Sequence, residues 1–349
     1  MNIRTEIKKI ENMIIDWRRD FHQYPELSFK EHRTGDVIAN ELRSMGLEPK
    51  INVGKTGVTA DLEFGDGPTI GLRADMDALP IQETSGLSFS SKNDGVMHAC
   101  GHDGHMAMLL GAAKVLTQKV DQYNGTVRFI FQPAEEGEGG ARYMIEDGCL
   151  EGLDEIYGIH VWNYQPVGEV GVKDGPVLAA ADMFDIKIKG IGGHGAAPQG
   201  TVDSIVIASH LVQALQTIVS RNTNPLESTV ISVGKINGGH NFNIIADEVS
   251  LSGTARAYTE ENRSLIKTRM KEIIQGIEKT FNAQITFDYK DGYPPTINHT
   301  EPSEKVLKAA KQVVGSKAGM PYLSMGGEDF AYYLKEKPGC FFFVGSAPN

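Results

Sequence analysis

The residues best suited to chemistry lie in one short stretch, Met97-His98-Ala99-Cys100-Gly101-His102-Asp103-Gly104-His105. Three histidines and one cysteine fall within it, and the two glycines allow the backbone to turn tightly between them. A thiolate and an imidazole two residues apart can then bind one ion, and this pairing favours a transition metal such as zinc over magnesium or calcium. The alternative is a buried thiol beside a helix start, because free cysteine is often a small core residue. The density of histidines favours the metal site.

Further candidate ligands follow predicted strands elsewhere in the chain. A continuous apolar strand over 126–131 leads into Gln132-Pro133-Ala134-Glu135-Glu136, and a short strand over 156–159 ends at His160. In a parallel sheet the carboxyl ends of the strands meet at one edge, so these side chains are expected at one site. The resulting ligand set for a divalent metal is Cys100, His102, Glu136 and His160.

Acidic residues complete the predicted site. Asp75 and Asp77 follow a strand over 69–74 and are candidates for orienting the imidazoles from outside the ligand set. Glu135 lies beside the candidate ligand Glu136 and can remove a proton from a water that a metal has made more acidic. The alternative is that the segment with Glu135 and Glu136 is a solvated acidic loop. This alternative is disfavoured because the segment follows a strand that is predicted to be buried.

Three polar residues later in the chain are further candidates. His194 lies among glycines and can reach a substrate oxygen, although an ordinary turn with an exposed histidine explains it equally well. Asn243 and Arg256 lie near predicted strand ends and can hold a carboxylate, or they are structural. A cysteine-protease mechanism through Cys100 is disfavoured, because a thiolate bound to metal is a poor free nucleophile.

Composition limits the classes of partner. The net charge of −11 argues against nucleic acid, which requires a basic surface. The N-terminus lacks the apolar core of a signal peptide, and no apolar run is long enough to cross a membrane. Three widely spaced cysteines do not suggest a disulfide framework. We therefore expect a cytoplasmic protein without a membrane or nucleic-acid partner.

The pattern of elements predicts a mixed α/β fold in two domains. Strands alternate with helices in the first part of the chain, which indicates a largely parallel sheet flanked by helices. From about Asp182 the order becomes β-α-β-β-α-β, which is typical of a ferredoxin-like α+β unit. We predict an inserted domain over 183–293, and a discontinuous catalytic domain over 1–182 and 294–349. Gly65-Asp66-Gly67-Pro68 is predicted to be a hairpin turn between two strands.

Several longer motifs occur in a fixed order along the chain. They are Arg19-Asp20-Phe21-His22, Pro25-Glu26-Leu27-Ser28, Arg73 to Pro80, Met97 to His105, Gln132 to Glu136, and Gly193-His194 to Pro198. Together they resemble the M20 family of metallopeptidases, in particular its amidohydrolase branch. That branch includes auxin-amino acid conjugate hydrolases, hippurate hydrolases and N-acyl-amino acid deacylases. The resemblance covers nearly the whole chain.

The resemblance implies a zinc-exopeptidase-like catalytic domain with two divalent ions (Zn²⁺, Mn²⁺ or Co²⁺) and a lid domain through which a homodimer forms. It implies that Cys100, His102, Glu136 and His160 are the metal ligands, with Cys100 bridging. Glu135 is implied as the general acid/base and His194 as the lid residue that stabilises the oxyanion. The implied reaction is hydrolysis of a small N-acyl amino acid, such as an N-acetyl or benzoyl conjugate, to a carboxylate and a free amino acid.

One departure from the family pattern concerns the metal ligands. Family members continue beyond the strand near Phe343 to a segment that supplies a further histidine ligand, whereas this sequence ends at Asn349. We therefore expect the C-terminal part of the catalytic domain to be truncated and one metal to bind weakly. The alternatives to an N-acyl amino acid hydrolase are a dipeptidase or carboxypeptidase of the same family and a catalytically impaired metal-binding homologue.

Overall fold

The computed structural model of the chain describes residues 3–119 and 123–348. The helices of this part are α1 (Ile3–Gln23), α2 (His32–Ser44), α3 (His102–Thr117), α4 (Gly140–Glu146), α5 (Ser204–Thr217), α6 (Glu260–Phe281), α7 (Thr300–Val314) and α8 (Ala331–Glu336). The strands are β1 (Lys50–Val53), β2 (Gly57–Glu63), β3 (Thr69–Asp75), β4 (Thr126–Gln132), β5 (Glu155–Pro166), β6 (Val170–Gly171), β7 (Gly175–Leu178), β8 (Ala180–Lys189), β9 (Gly193–His194), β10 (Thr229–Gly238), β11 (Ile244–Ile245), β12 (Glu248–Ala257), β13 (Gln284–Tyr293), β14 (Thr296–Asn298), β15 (Ala318–Gly319) and β16 (Gly339–Ala347).

These elements form two compact units. The first contains the described residues up to Gly175, then Ile297–Tyr322 and the residues from Asp329 onward. The second contains Pro176–Thr296 and Leu323–Glu328. The predicted domain limits at 183 and 293 stay a prediction. None of the helices in the described residues has both the length and the apolar character needed to span a bilayer.

The first unit contains a sheet of eight strands in the order β1-β2-β4-β3-β5-β16-β6-β15. Its centre is parallel: β3 pairs in parallel with β4 and β5, and β5 pairs in parallel with β16. The apolar residues at helical spacing in α1, α2 and α3 cover part of this sheet, and the core includes Phe21, Leu42, Met106, Leu110 and Phe129. Each of these five side chains is fully buried, and full burial stabilises an apolar side chain by about 1.5–3 kcal/mol. The predicted mixed, largely parallel α/β fold is confirmed.

The second unit has an antiparallel sheet in the order β10-β12-β8-β13. Buried and exposed residues alternate along β8, where Phe184, Ile186 and Ile188 are buried between exposed polar residues. Helices α5 and α6 supply the other side of this core through Ile207, Leu211, Ile266 and Met270, among others. The chain order is the predicted β-α-β-β-α-β order of a ferredoxin-like unit.

Two details of the predicted first unit are wrong. The turn at Gly65–Pro68 does not make a hairpin, because β4 lies between β2 and β3 and pairs with both. The turn residues do reverse the chain. However, β2 and β3 are not neighbours in the sheet, because β4 lies between them. His160 does not follow the end of a strand either. Strand β5 continues to Pro166, so His160 lies within it.

A buried arginine joins the centre of the first unit's sheet to the segment that follows residue 328. Arg73 in β3 is 2% exposed. Its guanidinium donates to Gln132 Oε1 at 2.8 Å, to Asp75 Oδ2 at 2.6 Å and to Asp329 Oδ1 at 3.0 Å. Two buried carboxylates therefore share one guanidinium, and removing it takes a charged donor from each of them.

We expect Arg73→Met to lower the free energy of unfolding by about 3–5 kcal/mol, because it removes one partner from a buried ion-pair network. The matched control is Lys305→Met, which breaks a 2.6 Å pair with Glu155 in the same unit where the lysine is half exposed. That change should cost much less, because an exposed ion pair adds little to stability. Urea denaturation of both variants measures the difference. Equal losses in the two variants would show that the Arg73 network is not a special determinant of stability.

Candidate metal centre

Cys100, His102 and His160 form the centre of the candidate site. One ligand atom from each lies within 4.8 Å of the other two, and Cys100 Sγ is 3.4 Å from His160 Nε2. Gly101, which precedes α3, has a φ of 91°, and a Cβ there would lie 2.4 Å from a methyl carbon of Val161. Only glycine combines this conformation with this close approach. The turn at Gly101 therefore brings the thiol and the imidazole together, as the sequence predicts.

The two candidate ligand imidazoles, those of His102 and His160, are held by their Nδ1 atoms. His102 Nδ1 is 2.9 Å from the carbonyl oxygen of Asp77, and His160 Nδ1 is 2.5 Å from the carbonyl oxygen of Val161. A carbonyl oxygen only accepts, so each Nδ1 must carry the proton that it donates. When neutral, each ring then presents a bare Nε2, which is the form that binds metal.

Two buried polar atoms at this place lack a hydrogen-bond partner. They are His102 Nε2 and Glu136 Oε1, which lie 3.9 Å apart. Leaving buried polar atoms unsatisfied costs about 1–3 kcal/mol each, and more for charged groups. A divalent cation bound by both atoms would remove this cost. The orphaned atoms, together with the sulfur and imidazole donors, fit a transition metal.

The protonation behaviour of these side chains supports a cation at the same place. Burial disfavours the charged form of His102, but the charges of Asp75 and Asp77 outweigh it and hold the His102 pKa well above its usual range. Burial raises the pKa of the Cys100 thiol and of the Glu136 carboxyl. Burial lowers the pKa of His160 to about 3, so this ring is neutral. A divalent ion would favour the thiolate and the carboxylate, since its charge replaces that of a proton.

His105 is not available as a ligand. Its Nε2 accepts the N–H of Val161 at 2.9 Å, so its Nδ1 carries a proton and donates to Asp75 Oδ1 at 2.6 Å. Asp75 therefore accepts from both Arg73 and His105, while its Oδ2 lies 3.7 Å from His102 Nε2. These contacts place Asp75 next to the candidate ligand His102.

Asp77 organises the segment that carries the two glutamates. Its Oδ1 accepts the backbone N–H of Glu135 at 3.0 Å, and its Oδ2 accepts that of Glu136 at 3.0 Å. Ser28 donates its hydroxyl to the same carboxylate at 2.8 Å. Burial opposes ionisation of Asp77, but hydrogen bonding to His102 and to these donors leaves its pKa lowered. One residue therefore positions Glu135 and Glu136 through its carboxylate and His102 through its carbonyl oxygen.

Glu135 is 6% exposed and lies at the edge of the ligand set. A carboxylate oxygen of Glu135 lies within 4.8 Å of ligand atoms of His102 and Glu136. The residue before it, Ala134, has a φ of 54°, which is uncommon for a residue with a Cβ. Such left-handed residues cost free energy and cluster at functional sites.

Glu31 is a member of this site that the sequence analysis misses. It is fully buried, accepts the backbone N–H of Ala134 at 2.9 Å and accepts the hydroxyl of Thr56 at 2.6 Å. Burial raises its pKa to about 7. Its position three residues after the Pro25–Ser28 motif is the one available signal, and it does not reveal a partner 103 residues away.

The remaining candidates lie in the second unit. His194 is exposed and pairs with Ile244 in a two-stranded ribbon of β9 and β11. Asn243 is exposed beside it, and its carbonyl oxygen accepts the N–H of Gly195 at 2.8 Å. The structure therefore brings His194 and Asn243 together. Arg256 lies elsewhere, in β12, where it is half-buried and burial lowers its pKa.

Comparison with known proteins agrees with this fold. Residues 71–349 match the model of peptidase family M20/M25/M40. An N-acetyl-L-cysteine deacetylase of Bacillus subtilis is 45% identical over 98% of this chain and 82% of its own length. A thermostable carboxypeptidase of Saccharolobus solfataricus is 41% identical over 99% of this chain and 88% of its own length. A crystal structure of a dinuclear metal-binding M20 peptidase from Bacillus subtilis is 38% identical, covers 97% of this chain and 90% of that one, and superposes with a TM-score of 0.85.

The fold and the site define a metal-dependent hydrolase. The chain belongs to the M20 family, in which it is similar to amidohydrolases and peptidases, and it is a hydrolase acting on amide bonds. The family predicted from the ordered motifs is thereby confirmed.

The first prediction from the site concerns Asp77→Asn. We expect the variant to bind zinc about 10- to 100-fold more weakly. The reason is that an amide cannot accept both backbone N–H groups, so the segment that carries Glu136 becomes less ordered. Competition with a chromophoric chelator measures the affinity. Ser28→Ala is the control, since it removes one donor from Asp77 and leaves both backbone bonds. Wild-type zinc affinity in Asp77→Asn would contradict the organising role of this carboxylate.

The second prediction concerns Glu31 and pH. Its pKa rises from 4.5 to about 7 on folding, so the folded state binds its proton more tightly. The stability from this proton is complete below pH 4.5 and is lost as the pH rises toward 7, by roughly 3 kcal/mol at most. Urea denaturation with a metal chelator present measures the free energy of unfolding of wild type and of Glu31→Gln. Between pH 4.5 and pH 7 this free energy should fall more for wild type than for the variant. A difference between the two proteins that does not change with pH would contradict the raised pKa.

Proposed function

We propose that the protein hydrolyses N-acyl amino acids to a carboxylate and a free amino acid. The observation that carries this proposal is the buried Glu135, whose carboxylate lies beside His102 and Glu136 in the candidate metal centre. A carboxylate next to a site for a Lewis acid is the arrangement that amide hydrolysis by water requires. The similarity to a deacetylase of N-acetyl-L-cysteine supports the N-acyl amino acid as substrate.

For the metal centre we propose Cys100, His102, Glu136 and His160 as the ligands of two divalent ions. Zn²⁺, Mn²⁺ and Co²⁺ all suit a set that mixes thiolate, imidazole and carboxylate. When bound, such ions supply Lewis acidity toward the amide carbonyl and lower the pKa of water. Asp75 and Asp77 would hold the ligand residues in place.

Glu135 then acts as the general acid/base. Its carboxylate accepts a proton from the attacking water and returns it to the leaving nitrogen, so the product amine departs uncharged. Burial of the side chain limits competing hydrogen bonds with bulk water. The backbone bond from Glu135 to Asp77 fixes the direction in which this segment leaves β4.

For the second unit we propose that His194 stabilises the oxyanion, as the family resemblance implies. Asn243 and Arg256, which are polar residues near strand ends, would bind the substrate carboxylate. We also propose that residues 183–293 act as a lid domain through which a homodimer forms. None of the three cysteines forms a disulfide, which supports a cytoplasmic location.

A carboxypeptidase or dipeptidase activity is the second candidate, because the relative from Saccharolobus solfataricus is a carboxypeptidase. Both candidate reactions break an amide whose nitrogen belongs to an amino acid. Parallel assays with N-acetyl amino acids, dipeptides and N-blocked peptides on zinc-, manganese- and cobalt-loaded protein separate them. Hydrolysis of N-acetyl amino acids well above the two peptide classes supports our proposal. Failure to hydrolyse any of them would instead favour a catalytically impaired homologue.

We expect Glu135→Gln to lower kcat by about 100- to 10,000-fold while metal content stays unchanged, because the general base is lost and the ligands remain. Glu138→Gln is the matched control, since Glu138 is an exposed carboxylate in the same segment. Metal analysis and initial rates on an N-acetyl amino acid check both parts. Full activity of Glu135→Gln would show that another group moves the proton.

A further inference from the structure

Glu31 occupies a helix N-cap position without capping the helix. It precedes α2, where a side-chain carboxylate would normally accept a backbone N–H of the first turn. Glu26 takes that role, because its two oxygens accept the N–H groups of Arg33 at 3.1 Å and Thr34 at 2.8 Å. The carboxylate of Glu31 is therefore free to turn into the protein, where it is fully buried.

The buried carboxylate of Glu31 reaches the peptide just before the general base. It accepts the N–H of Ala134 at 2.9 Å, and the hydroxyl of Thr56 donates to its other oxygen at 2.6 Å. The carbonyl oxygen of Ala134 accepts the N–H of Gly140 at 2.9 Å. Both polar groups of Ala134 are thus fixed, and its left-handed φ of 54° is held from both sides.

Three successive backbone N–H groups therefore bind two buried carboxylates. Ala134 donates to Glu31, whereas Glu135 and Glu136 donate to Asp77. For a residue with a Cβ, the left-handed conformation costs about 1–2 kcal/mol. Without the bond to Glu31, Ala134 would gain by relaxing to a negative φ. That rotation would swing the following residue, Glu135, away from its present direction.

We propose that Glu31 is a positioning residue for the hydrolytic reaction, which holds Ala134 in the left-handed conformation that aims Glu135. The inference rests on the proposed role of Glu135 as the base. Both protonation states of Glu31 can perform this function, because either leaves one oxygen to accept the Ala134 N–H and one group to pair with Thr56. The raised pKa of Glu31 agrees with a carboxyl that need not be charged to act.

The test compares Glu31→Met with Glu31→Gln. Methionine removes the acceptor, and we expect kcat on an N-acetyl amino acid to fall about 10- to 100-fold while KM and metal content stay within about twofold. Glutamine keeps an oxygen for the Ala134 N–H and an NH2 group for Thr56, so kcat should remain near that of wild type. Thr56→Val is the matched control, since it removes the other partner of Glu31 and leaves the bond to Ala134.

A second change separates positioning from a loss of folding. Glycine adopts a positive φ at little cost, so adding Ala134→Gly to Glu31→Met should restore most of the lost kcat. Hydrogen exchange of the segment around residues 131–136 gives a readout without turnover. It should be faster in Glu31→Met than in wild type and unchanged in Thr56→Val.

The outcomes distinguish this inference from the proposed function. If wild type hydrolyses N-acetyl amino acids and depends on Glu135, but Glu31→Met keeps its kcat, the positioning role is wrong. It is also wrong if Thr56→Val loses as much kcat as Glu31→Met, or if Ala134→Gly restores none. If Glu135→Gln is fully active, the proposed base is wrong, and faster exchange in Glu31→Met then shows only that Glu31 orders this segment.

Discussion

The carboxylate of Asp77 is the contact on which the candidate site depends. It binds the backbone N–H groups of Glu135 and Glu136, while the carbonyl oxygen of the same residue holds His102 Nδ1. A proposed base and two proposed ligands are therefore positioned by one residue that lies just beyond the end of β3. Asp77 binds backbone N–H groups and not flexible side chains, so the geometry of the site is fixed before substrate arrives. Such a site is preorganised.

Burying so many carboxylates near one another is unfavourable unless cations or donors compensate them. Arg73 compensates Asp75 and Asp329, His105 donates to Asp75, and backbone N–H groups compensate Asp77. Glu136 Oε1 and His102 Nε2 are the exceptions among these groups. The uncompensated atoms face each other at the place where a metal would bind, so the electrostatics of the unit favour a cation there.

Much of this site can be predicted from sequence, because its signals are local or follow from sheet topology. Cys100 and His102 are close along the chain, and a glycine between them has to turn. Glu136 follows a central strand, and parallel strands bring their carboxyl ends to one edge of a sheet. The family resemblance follows from ordered motifs of this kind.

Other features depend on contacts that spacing does not encode. The turn residues Gly65–Pro68 correctly predict a reversal of the chain between β2 and β3. The two strands nevertheless do not pair with each other, because β4, which comes more than fifty residues later, lies between them. Glu31 has an ordinary helix-start position, and its acceptor role appears only when Ala134 packs against it.

The central claim is that Cys100, His102, Glu136 and His160 bind a transition metal through the thiolate. X-ray absorption of zinc-loaded protein tests it most directly. The account predicts a sulfur neighbour at about 2.3 Å together with nitrogen and oxygen at about 2.0–2.2 Å, and loss of the sulfur signal in Cys100→Ser. A spectrum with only nitrogen and oxygen neighbours that is identical in Cys100→Ser would contradict it.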